Sequence, residues 1–394
     1  MCDMCACVLL SSLPVYLAQV FAFFSGQEAS MSSVTAMARL FYRWRVSIVS
    51  LYLVNNATQG VLQGVDCVRA AAAIASARAV LDVMATVAAL GIGGALFDSS
   101  DGQSAIGDGG DAYVLGLVGA AMAVSAGMSM LVALVAVAIR VKGMRDWTNW
   151  RSGGKLQGEV SEFATDGVSM FVRTALLQGT FLIALACVCR LGAAATAAHA
   201  VILQLWSLGS FSVDGFADAG TIIGSHVSAR AEKRLVVPAL RRMCRRLLGL
   251  GLTMGIVLAA VLYVWERPVA RIFTHDEAAL LVLHDAWPVL TFAQPVNALA
   301  FVYDGLLLAA QGFAFARESM ITGTGLVFGP VLVHAYFIVT PTLAGIWTAK
   351  VALNVWRVLA LGSFIHLFWL RVPKPESTLL YEPLSAEAPL TNPC

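Results

Sequence analysis

Long apolar stretches separated by short polar breaks run along almost the whole chain. A helix needs about 20 mostly apolar residues to cross the hydrocarbon core of a bilayer. Stretches of this kind lie at about residues 8–25, 45–65, 79–97, 113–140, 167–189, 193–226, 246–265, 286–311, 319–340 and 343–370. The pattern predicts an all-α, polytopic membrane protein with about ten transmembrane helices.

Composition excludes other classes of protein. Apolar residues make up 59% of the chain and charged residues 13%, whereas a soluble domain has roughly 25% charged residues. The net charge of +2 gives no basic surface for nucleic acid. We therefore expect the lipid bilayer to be the chain's surroundings and expect no nucleic-acid partner.

The basic residues alternate between the two sides of the predicted membrane. Of the 26 lysines and arginines, seventeen follow the even-numbered spans and six follow the odd-numbered ones. The basic side is normally cytoplasmic, so we predict that both chain ends lie in the cytoplasm. The densest basic run, from Arg230 to Arg246, is interpreted either as such a loop or as a site for lipid or a protein partner.

Motifs for enzyme chemistry are missing from the sequence. It has no phosphate-binding loop, no HExxH and no GxSxG. Cys2 and Cys5 form a CxxC, but no second cluster completes a metal site. The sequence therefore predicts a protein that is not an enzyme and has neither metal nor cofactor, so that any transport must draw on an ion gradient.

Two stretches of the first half recur in the second. The end of the second span resembles the end of the eighth, with Gly60 against Gly305, and the fourth resembles the tenth, with Val118 against Ile346. Such parallel repeats are typical of transporters built from two bundles around a central path. The repeat unit is six spans, so the first unit is expected to lack two helices.

Specific motifs extend this interpretation. Residues 190–220 read RLGAAATAAHAVILQLWSLGSFSVDGFADAG, and residues 294–307 read QPVNALAFVYDGLL. Phe273-Thr274 with Asp276, and the TLAGIW at 342–347, add two shorter matches. Together these motifs resemble the multidrug and toxic compound extrusion (MATE) transporters, in the DinF-like branch that includes plant citrate effluxers.

The resemblance implies twelve helices in two six-helix lobes, of which this chain would carry the third to the twelfth. The family's first helix normally holds an acidic residue tied to proton or sodium coupling, and nothing here matches it. We thus expect an incomplete N-terminal lobe of four spans (1–140), a cytoplasmic inter-lobe loop (141–166), a C-terminal six-helix lobe (167–371) and a disordered cytoplasmic tail (372–394).

Polar side chains near the middle of the predicted spans are candidates for lining a solute cavity. Ten residues of helix cover about 15 Å, which is half of the hydrocarbon core. The residues at this depth are Gln178, Gln204, Trp206, Gln294, Asn297 and Asn354. The alternative is that the amides among them bond neighbouring helices to each other.

Three basic residues fall inside predicted spans, where charge is costly. Lys350 and Arg357 share one face of the last helix with Asn354, and Arg173 lies in the fifth span. One hypothesis is a cationic wall that attracts an anionic substrate such as a di- or tricarboxylate. The other is pairing with Asp214, Asp218 or Asp304 inside the bundle. Lys350 departs from the small residue usual in the family.

Asp214, Asp304, Arg173 and His199 are the candidates for ion coupling or gating. A desolvated carboxyl or an imidazole can carry a proton. Depth favours a latch at the inner mouth for Asp214 and Asp304, and a hydrogen-bonded structural role is the alternative for His199.

These features predict a secondary antiporter that exports a small organic solute in exchange for H⁺ or Na⁺. The solute is an organic anion such as citrate, or a drug or other xenobiotic. The alternative is a non-transporting or inactive paralogue that acts as a membrane interaction partner. A lipid-linked flippase would need a larger and more basic cavity.

Overall fold

The computed structural model describes residues 51, 54–63, 67–98, 108–142, 155–230 and 233–370. Every regular element in these ranges is a helix. The chain divides into two compact units, one up to residue 152 and the other from residue 153 to 386. The predicted span at 8–25 lies outside the described residues, and that at 45–65 is described only in part, with helix at 54–63.

The first unit contains two long helices, α1 (Val68–Asp98) and α2 (Asp108–Lys142). A small core of Leu62, Cys67, Ala71, Ile74 and Ala133 joins them to the preceding helical segment. Helix α1 begins eleven residues before the predicted span. The added segment, VRAAAAIASAR, is rich in alanine, the strongest helix former, so its helical preference outweighs its lower hydropathy.

The described part of the second unit holds seven helices. They are α3 (Lys155–Cys189), α4 (Ala193–Arg230), α5 (Lys233–Val264), the short α6 (Glu266–Phe273), α7 (Glu277–Ala309), α8 (Phe313–Ile338) and α9 (Leu343–Trp369). Helix α3 reaches back into the predicted loop at 141–166, and α5 runs through the basic stretch expected to be a loop.

Local sequence explains where several of these helices begin. Gly192 adopts a φ of 109° in the tight turn before α4, a conformation that residues with a Cβ rarely take. The side chain of Asp276 caps α7 by accepting a hydrogen bond from the Ala278 N–H. Thr342 caps α9 in the same way through the Gly345 N–H.

Helix α8 widens into a π-helical turn on each side of Pro330. The turns are Thr324–Phe328 and His334–Ile338, and the Gly329 N–H bonds back to the Thr324 carbonyl. Proline has no N–H and its ring crowds the carbonyl four residues earlier, which favours such local widening over a regular ladder. Pro330 thus leaves a distortion of the helix.

Two apolar clusters hold the second unit together. The larger contains Trp206, Leu283, Trp287, Phe328 and Trp347, contributed by α4, α7, α8 and α9. The smaller is formed around Val213, Leu240, Val302, Leu306 and Ile365. Helices α4, α5, α7 and α9 each contribute to both clusters, so these four helices form the centre of the described part of this unit.

Eight helices in the described part of the chain are long and apolar enough to cross a bilayer. Many large apolar side chains on them are exposed at the protein surface, such as Phe171, Phe211 and Phe292. A helix with an apolar outer face fits lipid rather than water. The chain is an integral, multi-pass membrane protein.

Candidate functional site: a buried polar network in the second unit

Asp304 of α7 is the centre of an ion cluster. Its Oδ2 accepts a hydrogen bond from Arg173 Nη2 at 2.5 Å and another from Arg357 Nη2. The Asp304 side chain is 13% exposed and that of Arg357 is 4% exposed. The cluster joins α3, α7 and α9, and its two guanidinium groups leave one positive charge in excess of the carboxylate.

A chain of hydrogen bonds continues from Arg357 across the unit. Arg357 Nη1 donates to Asn354 Oδ1 at 2.8 Å, and Asn354 Nδ2 donates to Asn297 Oδ1 at 3.0 Å. Asn297 Nδ2 then donates to Ser210 Oγ of α4 at 3.2 Å. All four side chains are buried. The ion cluster and this chain form what we call the polar network, which links α3, α4, α7 and α9.

Lys350 lies two turns before Arg357 on the same face of α9. Its side chain is buried, and its ammonium donates to Thr180 Oγ1 at 2.7 Å and lies 3.4 Å from the centre of the Phe181 ring. Thr180 in turn donates to the Leu177 carbonyl. Within the described ranges no carboxylate lies within 4.0 Å of the Lys350 ammonium. This cation is therefore held by a hydroxyl and a ring face alone.

Trp347 connects His199 and Trp206 beside this lysine. The indole Nε1 donates to His199 Nδ1 at 3.2 Å, and the Trp206 and Trp347 rings are 5.3 Å apart. Because the indole nitrogen is only a donor, Nδ1 of His199 carries no proton in this arrangement. His199 thus has the hydrogen-bonded structural contact that was one of the two interpretations of it.

The three glutamines predicted to line a cavity lie in different surroundings. Gln294 is buried, and its Nε2 donates to the Leu290 carbonyl of its own helix at 3.0 Å. Gln178 and Gln204 are exposed on the surface of the unit. The structure does not bring these three amides into the polar network.

The two other acidic candidates do not share in the ion cluster. Asp214 is half-buried and Asp218 is exposed on α4. Neither forms an ion pair with any residue in the described segments. The pairing alternative is therefore correct for Arg173 and Arg357, which pair with Asp304, and incorrect for Lys350.

Comparison with known proteins shows which family the chain resembles. The MatE family profile matches residues 170–333. Over 228 residues, 56% of this chain and 42% of the relative, the chain is 28% identical to "Protein DETOXIFICATION 44, chloroplastic" of Arabidopsis thaliana. It is 29% identical to "Protein DETOXIFICATION 42" of the same plant over 204 residues, 50% of this chain and 38% of the relative.

Solved structures show the same fold. The crystal structure of the eukaryotic MATE transporter AtDTX14 aligns with a TM-score of 0.71 at 13% identity, covering 91% of this chain and 74% of that one. A mutant of the Vibrio cholerae MATE transporter VcmN aligns with a TM-score of 0.69 at 14% identity, covering 93% and 77%. The chain thus resembles the MatE family in sequence over residues 170–333 and MATE transporters in fold.

The match to the MATE profile covers only part of the polar network. Arg173 and Asp304 lie within it, whereas Lys350, Asn354 and Arg357 follow its last residue. The matched regions also span less than half the length of these two curated MATE relatives. The family consists of transporters rather than enzymes.

One acidic residue within a predicted span was not singled out from the sequence. Asp82 lies within the span Val68–Gly91 of the first unit, where its Oδ1 accepts a hydrogen bond from Ser125 Oγ of α2. Arg78, one turn earlier, lies 3.7 Å from its Oδ2. A carboxylate inside an apolar stretch was the available signal.

The described segments contain no group of three or more His, Cys, Asp or Glu side chains placed to hold a metal ion. The charged groups found in these segments are instead basic side chains near a carboxylate, some of which pair with it and some of which do not. Ionisable groups inside a membrane are costly, and they mark substrate or ion pathways.

Proposed function

We propose that this protein acts in a membrane as a secondary antiporter, which exports an organic solute in exchange for H⁺ or Na⁺. The observation that carries the proposal is the polar network, because ionisable residues inside a membrane are costly and mark substrate or ion pathways. The match of residues 170–333 to the MatE family profile supports the same activity. Residues up to about 140 and residues 167–371 would form the two lobes, joined by the segment 141–166.

The charge balance at and beside the polar network favours an organic anion over an organic cation as the solute. Two bases of the polar network, Arg173 and Arg357, and Lys350 on the same face of α9 accompany one carboxylate, Asp304. An anionic group would supply the counter-charge that Lys350 lacks. In this proposal Asn297, Asn354, Gln294 and Trp206 shape the solute path, and the exposed Gln178 and Gln204 contact the solute from the surface of the unit.

The coupling cation would act on a carboxylate that is not already neutralised by two guanidinium groups. Asp304 does not meet this condition, so we assign it to holding α3, α7 and α9 together. Asp82 in the first unit and Asp214 in the second are the candidates for coupling, and His199 remains a candidate for proton transfer. The alternative solute is a drug or other xenobiotic, and the experiment below distinguishes it from an organic anion.

Reconstitution of the full chain into proteoliposomes tests the proposal. We expect uptake of radiolabelled citrate to depend on an imposed H⁺ or Na⁺ gradient, and the variant Lys350→Ala to lose more citrate uptake than uptake of an organic cation such as tetraethylammonium. The variant Arg190→Gln, at an exposed position after α3, is the control. Equal loss for both solutes would contradict the anion, and no gradient-driven uptake of either would favour the non-transporting paralogue.

A further inference from the structure

Four arginines near the start of α5 form a compact surface that the proposed transport does not use. Arg241, Arg242, Arg245 and Arg246, which we call the arginine patch, are all exposed. Steps of three and four residues place them side by side on one broad face of the helix. They therefore present several guanidinium groups to a single ligand or surface.

The opposite face of the same turns is buried. Leu240, Cys244 and Leu247 belong to the smaller apolar core of the second unit. This packing fixes the direction of the arginine patch, because α5 cannot rotate without exposing these side chains. The patch points away from the core of its own unit.

Within the described residues, the arginine patch has almost no hydrogen-bond acceptor from the protein itself. Arg241 donates to the Leu370 carbonyl at 3.1 Å, which holds it beside the end of α9. In the ranges the structure describes, no carboxylate lies within 4.0 Å of Arg242, Arg245 or Arg246, and none of the three has a hydrogen-bond partner. Such a group of exposed, like-charged guanidiniums is electrostatically complementary to an anion.

The position of the patch along α5 sets its depth in a membrane. Residues 247–264 contain no charged residue, and these 18 residues of helix span about 27 Å. This length is close to the roughly 30 Å hydrocarbon core of a bilayer. The arginine patch ends directly before this stretch, a position that would place its guanidinium groups at the level of the lipid phosphates.

We propose that the arginine patch is a binding site for the phosphate groups of anionic phospholipids in the leaflet at the start of α5. Guanidinium binds phosphate through two parallel hydrogen bonds, which suits arginine better than lysine to this ligand. The depth of the patch selects a lipid headgroup over a soluble anion, because the membrane concentrates the phosphates at that level. Bound lipid would stabilise the contact between α5 and the end of α9.

The test measures thermal unfolding of the purified full chain in a neutral detergent while dioctanoyl phosphatidylglycerol is added. A ligand that binds the folded state raises Tm as its concentration exceeds Kd. We expect the Arg242→Gln, Arg245→Gln, Arg246→Gln triple variant to bind this lipid about 100-fold more weakly, since each basic residue near an anionic surface contributes about fivefold. The corresponding triple Lys variant should keep most of the affinity.

Three arginines beyond the other ends of α3 and α5 give a matched control. The variant Arg190→Gln, Arg267→Gln, Arg271→Gln removes the same charge and should leave the lipid affinity unchanged. Unchanged affinity in the patch variant would overturn the proposal, as would an equal rise in Tm with dioctanoyl phosphatidylcholine or inorganic phosphate. If the triple Gln variant does not fold, the single variant Arg246→Gln must still weaken lipid binding about fivefold. This measurement does not depend on transport, so its result tests lipid binding independently of the proposed antiport.

Discussion

The ammonium of Lys350 donates to the hydroxyl of Thr180 at 2.7 Å inside a helical bundle, with an aromatic ring and no carboxylate beside it in the described segments. The two residues lie 170 positions apart and belong to the last and first helices of the second unit. A charge held in this way costs stability, because one hydroxyl does not replace the water that a lysine loses on burial.

Replacing Lys350 by methionine is therefore expected to leave the folded protein as stable or more stable. Methionine keeps the length and flexibility of the side chain, and Thr180 still donates to the Leu177 carbonyl. We expect the free energy of unfolding in detergent to rise by about 1–3 kcal/mol. A clear loss of stability would instead mean that the ammonium serves the fold, which would weaken its assignment to a solute.

Replacing Asp304 by asparagine should have the opposite effect. Arg173 and Arg357 would remain inside the bundle without a counter-charge, and breaking a buried ion pair from one side costs about 3–5 kcal/mol. Thermal unfolding in detergent measures the loss. Asp285→Asn, at an exposed position on the same helix, is the control and should leave Tm unchanged. Equal stability of the two variants would show that the ion cluster does not hold α3, α7 and α9.

The contact between Asn297 and Asn354 should appear as a coupling energy. Each single change to leucine leaves a buried amide partner unsatisfied and is expected to cost about 1–3 kcal/mol. The double variant should cost less than the sum by about 0.5–3 kcal/mol. Thr348→Ala, on an exposed face of α9, is the control, and its effect on stability should add to that of Asn297→Leu. A similar coupling energy for this control pair would show that the coupling does not come from the contact between Asn297 and Asn354.

Gly305 marks the closest approach of α7 to α4. A Cβ at this position would lie 2.1 Å from the carbonyl oxygen of Ala217, and a backbone atom cannot move aside cheaply. We expect Gly305→Ala to reduce the free energy of unfolding by about 1–3 kcal/mol. Gly215→Ala on α4, where a Cβ meets nothing within 4 Å, should instead be neutral or more stable by about 0.5–1 kcal/mol. Matching effects at both glycines would contradict this close packing.

The helices were predictable from sequence because each is long and apolar, and α9 illustrates how far this extends. The spacing of Lys350, Asn354 and Arg357 predicted one shared face, and the structure buries all three. Their partners were not predictable. Arg357 meets Asp304 from another helix, and only the packing of the whole unit decides which of several acidic residues it reaches.

From the sequence, the depth of a residue in the membrane could be counted along its helix. The direction in which its side chain points around the helix axis could not be predicted. Gln178, Gln204 and Gln294 were all assigned to mid-membrane positions, yet only Gln294 is buried. Helical periodicity is a weak guide in a membrane, since apolar side chains occupy both the core and the lipid-facing surface. The same limitation hid Asp82, whose contact with Ser125 depends on how α1 and α2 are rotated against each other.

The sharing of Asp304 between Arg173 and Arg357 has a consequence for biosynthesis. Arg173 belongs to the first helix of its unit to leave the ribosome and Arg357 to the last. Until α9 is inserted, Asp304 and Arg173 form a one-to-one ion pair, and the excess positive charge of the cluster arrives only with Arg357. The last helix therefore brings a base into the bilayer at the end of synthesis, where Asp304 supplies its counter-charge.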